Sequence, residues 1–99
     1  MSVRIDVNAV TEALPLQLQL METSHCHLCE TAVELLLPYV EAGICQVELV
    51  DIAEEDRLLA NYAERIPVLR HEQSATELGW PFDAETLDHW LQQRVESLA

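Results

Sequence analysis

Between Leu16 and Met21 the chain reads LQLQLM, apolar and polar residues alternating as far as Leu20. That is the period-two pattern of a strand with one face against a core. Glu22, Thr23 and Ser24 then bring loop chemistry. From Leu28 the period changes: Leu28, Ala32, Leu35, Leu36 and Tyr39 follow helical spacing while Glu30, Glu34 and Glu41 take the opposite face. This predicts an amphipathic helix ending near Gly43. Pro38 falls on the glutamate side, so a bend convex to solvent is expected there rather than a break. ICQVELVDI, from Ile44 to Ile52, is rich in β-branched residues and reads as a second strand. A helix between two strands makes them parallel, in a right-handed βαβ unit. EEDRLLANYA predicts a short helix with Leu58, Leu59 and Tyr62 inward. IPVLRH and SATELG read as strands too close in sequence for anything but an antiparallel hairpin. Asp83 is placed to cap a last helix whose Leu87, Trp90, Leu91 and Leu98 form the buried stripe.

The order βαβ, α, ββα is that of an α/β domain. With 99 residues, about half of them apolar, one core is expected over residues 15–99. Residues 1–14 are weakly patterned and are read as an N-terminal extension, a loose tail or a short extra helix. No stretch approaches the ~20 apolar residues needed to cross a bilayer. The first residues also lack the basic and apolar segments of a secretory signal. A soluble, cytoplasmic protein is the expectation. Acidic residues number 18 against 5 basic ones, all arginine, for a formal charge of −13. Such a surface repels phosphate backbones and anionic lipid, so neither nucleic acid nor membrane is expected as a partner.

Three cysteines, Cys26, Cys29 and Cys45, are an odd number and argue against a framework of structural disulfides. Two of them lie in SHCHLCE, Ser24 to Glu30, between a predicted strand and a predicted helix. There Cys26 falls at the helix N-cap, where unpaired N–H groups and the helix dipole favour a thiolate, and Cys29 lies one turn on, within disulfide reach. This chemistry makes Cys26 the nucleophile of thiol–disulfide exchange and Cys29 the resolving thiol. His25 and His27, when protonated, support the thiolate, while Glu22 and Glu30 oppose it. The alternative is a non-enzymatic module that binds metal or docks a protein through this loop: His25, Cys26, His27 and Cys29 are four metal-ligating side chains in five residues. So tight a run rarely wraps one ion by itself, and no second ligand cluster completes it, so no metal or other cofactor is expected. His71 and His89 stand alone, and Cys45 is read as a small core residue.

CHLC after a strand, RIPVLR about forty residues later and the βαβ…ββα order together resemble the thioredoxin superfamily. The resemblance is strongest to its small glutaredoxin-like proteins, in the bacterial branch that carries a Cys-His-Leu-Cys motif, and covers about residues 15–93. It implies a four-stranded mixed sheet in the order second, first, third, fourth strand, with two helices on one face and one on the other. It also implies that Pro67 is a cis-proline facing the cysteine pair and that the backbone of Ile66 pairs with substrate. With His25 and His27, these make the expected substrate-contacting set. The substrate implied is a disulfide-containing protein or small thiol compound. Glutathione-using relatives commonly carry a lysine before the first cysteine and a double-glycine turn after the last strand. Here there is no lysine, and Leu78-Gly79-Trp80-Pro81 stands at that turn. Arg65 and Arg70 are the remaining cations for a glutathione carboxylate, so glutathione use is doubtful. Trp80 and Phe82 either line a groove near the pair or pack the last helix, the second being the stronger reading.

Overall fold

The computed structural model describes residues 14–98; the extension expected over residues 1–14 lies, apart from Leu14, outside them. The elements follow the expected order: β1 (Leu16–Glu22), α1 (His27–Glu41), β2 (Cys45–Asp51), α2 (Asp56–Tyr62), β3 (Val68–His71), β4 (Glu77–Gly79) and α3 (Ala84–Glu96). A 3-10 turn, Ile52–Glu54, joins β2 to α2 where no separate element is expected. It starts where the Asp51 carboxylate accepts the Ala53 N–H at 2.9 Å.

The sheet order is β2-β1-β3-β4. β1 runs parallel to β2, with Leu20 opposite Leu49, and antiparallel to β3, with Met21 opposite Val68. The alternation in LQLQLM now has its cause. Leu16, Leu18 and Leu20 enter the main core with Ala32 and Leu36 of α1 and Leu87, Trp90 and Leu91 of α3. Met21 points the other way, into a smaller cluster with Ile52, Tyr62 and Val68, against which Leu58 of α2 packs. Two helices thus cover one face and one helix the other. The mixed sheet and its helices are a thioredoxin-like α/β fold.

Helix α1 runs unbroken through Pro38, whose ring is exposed. It ends in a Schellman motif: Ile44 N–H donates to the Tyr39 carbonyl at 2.9 Å and Gly43 N–H to that of Val40 at 3.1 Å. Gly43 sits at φ +76, the left-handed conformation that a side chain disfavours. At the start of α3 the Asp83 carboxylate accepts the Thr86 N–H at 2.8 Å, the cap the sequence implies.

Two inward assignments need correction. Leu28 and Leu59 are exposed. Helix α1 carries apolar residues on most of its circumference, so its period admits several stripes; the sheet takes the one through Cys29, Ala32 and Leu36. In α2, Leu58 and Tyr62 are one turn apart on the same side, which turns Leu59 outward. Leu98 lies beyond the end of α3 and packs, half-buried, on the main core.

His71 closes β3 and is buried, its Nδ1 2.6 Å from Ser74 Oγ. Burial, and secondarily the Arg94 guanidinium, hold its pKa below the ordinary histidine value. The unfolded chain therefore binds a proton that the folded chain resists. Stability is full above an unfolded value of about 6.5 and is lost as pH falls through it towards the lowered folded value. Urea midpoints should fall between about pH 7.5 and about pH 5 more steeply for the wild type than for His71→Gln. Equal falls in the two proteins would remove His71 from this role.

Candidate functional site

β1 ends at Glu22, and a turn at Thr23-Ser24 followed by His25 at φ 62 redirects the chain into α1. Histidine is less averse to this left-handed conformation than branched residues are. Cys26 follows as the N-cap, with extended backbone (φ −99, ψ 103), and its Sγ accepts the Cys29 N–H at 3.1 Å. Sulfur occupies the place that a serine or aspartate oxygen takes in most caps. The Cys26 carbonyl receives the first helical hydrogen bond, from Glu30 N–H at 3.1 Å.

Cys29 lies one turn further on, its Cα 5.2 Å from that of Cys26, and the two are joined by a disulfide. Their surroundings are unequal. Cys26 is half-exposed and borders solvent, whereas Cys29 is buried on the inward stripe of α1. An incoming group reaches Cys26 first. A cleft of about 200 Å³ opens beside the pair, and Glu22, His25, Glu30, Val33 and Leu49 contribute to its walls.

The N-terminal N–H groups of α1 and its dipole favour negative charge on Cys26 Sγ, and the two glutamates in the cleft oppose it. His25 belongs to the cleft. His27 does not line it: its side chain is almost fully exposed, with Nδ1 3.6 Å from a Glu30 carboxylate oxygen.

The Ile66–Pro67 bond is cis, as the resemblance implies. Pro67 is buried, and because Val68 faces Met21 it falls opposite the end of β1 from which the cysteine loop departs. Its carbonyl accepts the Trp80 N–H at 3.2 Å. Ile66 is half-buried beside Tyr62, and its N–H already donates to the Tyr62 carbonyl at 3.1 Å. Pairing of Ile66 with an incoming backbone therefore falls to its carbonyl while that bond holds. Neither residue lines the disulfide cleft itself.

The arginines lie elsewhere. Arg70 donates to Gln19 Oε1 at 3.0 Å, and Arg65 donates to the Asn61 carbonyl at 3.0 Å and to Glu77 at 3.4 Å. Arg70 lines a larger cleft of about 480 Å³ on the α2 face, which contains no cysteine. Trp80 and Phe82 meet edge to face, with ring centroids 4.9 Å apart, and pack on the main core, so the packing reading holds. Trp80–Pro81 is a further cis bond that the sequence reading does not include.

Cys45 is buried at the start of β2, and desolvation pushes its thiol up to about 11. Among the described residues no group of three or more His, Cys, Asp and Glu side chains is placed to hold a metal ion. No helix among them is long and apolar enough to cross a membrane. Val33 and Leu49 are cleft residues that sequence reasoning missed. Leu49 faces α1 only because it stands in register with Leu20, a pairing that periodicity does not contain.

A family model described as Glutaredoxin-like domain (DUF836) matches residues 17–92. Among solved structures, the X-ray structure of protein XcR50 from X. campestris is 41% identical, with a TM-score of 0.67, over 77% of this chain and 96% of that one. The solution structure of the same protein gives 39% identity and a TM-score of 0.61, over 77% and 92%. The solution structure of Ne2328 from Nitrosomonas europaea shares the fold at 22% identity, with a TM-score of 0.66, over 91% of this chain and 98% of that one. A comparison with curated proteins finds no match. The family match spans most of the chain, and the fold and the disulfide at the head of α1 agree with it: the chain belongs to the glutaredoxin-like DUF836 family of the thioredoxin superfamily.

Proposed function

We propose that this protein is a thiol–disulfide oxidoreductase of the cytoplasm, acting on disulfides of proteins or peptides. The observation that carries this reading is the Cys26 cap: its sulfur receives the Cys29 N–H at 3.1 Å at the positive end of a 15-residue helix, with Cys29 in bonding position behind it. In the reduced protein the same contact favours the thiolate.

The Cys26 thiolate attacks one sulfur of a substrate disulfide. That bond breaks, a mixed disulfide forms, and the departing thiolate takes a proton. Cys29, deprotonated in turn, attacks Cys26 Sγ and closes the internal disulfide, releasing the second substrate thiolate, which is protonated. The substrate gains two electrons and two protons, and the pair loses them. A low-molecular-weight thiol or a second dithiol protein returns them. Pro67 and the Ile66 carbonyl sit at the sheet end where the substrate backbone arrives, and His25 borders its path. His27 supports binding from the outer side of the same turn. Glutathione is a poor substrate on this reading, because Arg65 and Arg70 are tied to other groups away from the cleft.

Equilibration against glutathione redox buffers, followed by alkylation and mass measurement, tests the reading. A reversible two-thiol transition is expected, with a potential between about −270 and −120 mV. Metal analysis of protein purified without chelator belongs to the same experiment. A stoichiometric ion that shields both thiols from alkylation would replace the redox reading with a metal-binding one.

A further inference from the structure

The space beside the disulfide does not end at the cysteines. Val33 of α1 and Leu49 of β2 wall it, and the same two side chains wall an apolar groove of about 190 Å³ that runs on between α1 and β2 to Leu37, Val40 and Val47. Cleft and groove adjoin at these two side chains, and the pair of depressions makes a trough that starts beside the cysteines. Leu37, Val40 and Leu49 are 46%, 38% and 56% exposed. Large aliphatic side chains left facing water along adjoining depressions mark a binding surface rather than scattered surface residues. β2 is also an edge strand, so its outer main-chain groups face no strand among the described residues.

Charge identifies the occupant. Glu22 and Glu30 lie at the cysteine end, and the exposed Glu34 and Glu41 run along the next row of α1. No arginine lines either part of the trough, and the chain has no lysine and a formal charge of −13. A second copy of this chain would bring the same charge against it, and an anionic membrane would be repelled. A cationic polypeptide is attracted. From Cys29 to Val40 is roughly 16 Å at the rise of a helix, a span that an extended peptide covers in about five residues.

On the footing that Cys26 and Cys29 exchange disulfides, we propose that this trough docks the substrate polypeptide. It selects an extended segment with aliphatic side chains within about five residues of its half-cystine and with arginine or lysine flanking them.

Three fluorescent peptides test this without any redox step, each with serine in place of cysteine. One carries leucine and valine flanked by arginine, one the same residues flanked by glutamate, and one serine in place of the aliphatic residues with the arginines kept. Anisotropy should show the first binding roughly tenfold more tightly than the others. Leu37→Glu should abolish that preference while keeping the wild-type urea midpoint, since Leu37 is an exposed side chain. Glu34→Arg/Glu41→Arg should shift the preference towards the glutamate-flanked peptide. Equal binding of all three peptides by the wild type, or an unchanged preference in both variants, would overturn the docking site. So would concentration-dependent self-association that Leu37→Glu removes, since it would assign the trough to a second copy. None of these results depends on exchange activity. A failed redox equilibration therefore refutes the function of the pair, and failed peptide selectivity refutes the trough.

Discussion

Cys26→Ser will lose disulfide reduction by at least about a thousandfold, because a serine hydroxyl is essentially un-ionised at neutral pH and cannot replace a thiolate as attacking group. The fold should survive. Serine is a preferred N-cap residue, so its oxygen can accept the Cys29 N–H that Sγ now accepts at 3.1 Å. The loss is therefore chemical, and a urea midpoint equal to that of the reduced wild type, which also lacks the disulfide, will confirm that. Cys29→Ser should behave differently: Cys26 still attacks, but nothing resolves the product. Incubated with a disulfide peptide, that variant should accumulate a covalent adduct visible by mass and released by dithiothreitol. Wild-type turnover by Cys26→Ser, or an adduct that forms on Cys29 in Cys26→Ser while none forms on Cys26 in Cys29→Ser, would reverse the assigned roles. The inequality between the two cysteines, one half-exposed at the cap and one buried on the helix face, is the physical basis of the expectation.

Leu20→Ala should cost about 3 kcal/mol of folding stability. Leu20 is fully buried on β1, the strand that pairs with both β2 and β3, and belongs to the core shared by α1 and α3. A small domain has a net stability of only about 5–15 kcal/mol, so this single truncation removes a large share of it. Urea unfolding will show the fall in midpoint with little change in slope. Leu59→Ala is the control. Its side chain is exposed although helical spacing suggests otherwise, so it should change stability by no more than about 0.5 kcal/mol. Comparable losses in the two variants would mean that the outward orientation of Leu59 is wrong.

The sequence is most legible where one physical pattern dominates. LQLQLM places β1 because three leucines on one face have a single possible destination. The cysteine pair is legible because its place between strand and helix, rather than its composition, gives Cys26 the cap. Helix α1 is legible as a helix but not in its orientation. With Leu28, Leu37 and Val40 all apolar and all exposed, hydrophobicity cannot say which stripe the sheet takes. The trough escapes for the same reason: Val33 and Leu49 become neighbours only through the β1–β2 register. Ile66 is a further case. Its place next to the cis-proline follows from the family pattern, but the capture of its N–H by the Tyr62 carbonyl depends on where α2 ends, a boundary that residue spacing fixes only loosely.

The burial of Cys45 keeps the third thiol of the chain away from the pair's chemistry. Desolvation, which pushes its thiol up to about 11, keeps Cys45 protonated at neutral pH. It cannot compete for an oxidised Cys26, so the internal disulfide has no third sulfur with which to scramble. On the proposed function, exchange is confined to Cys26 and Cys29, and a covalent link between chains would pass through the loop at the head of α1.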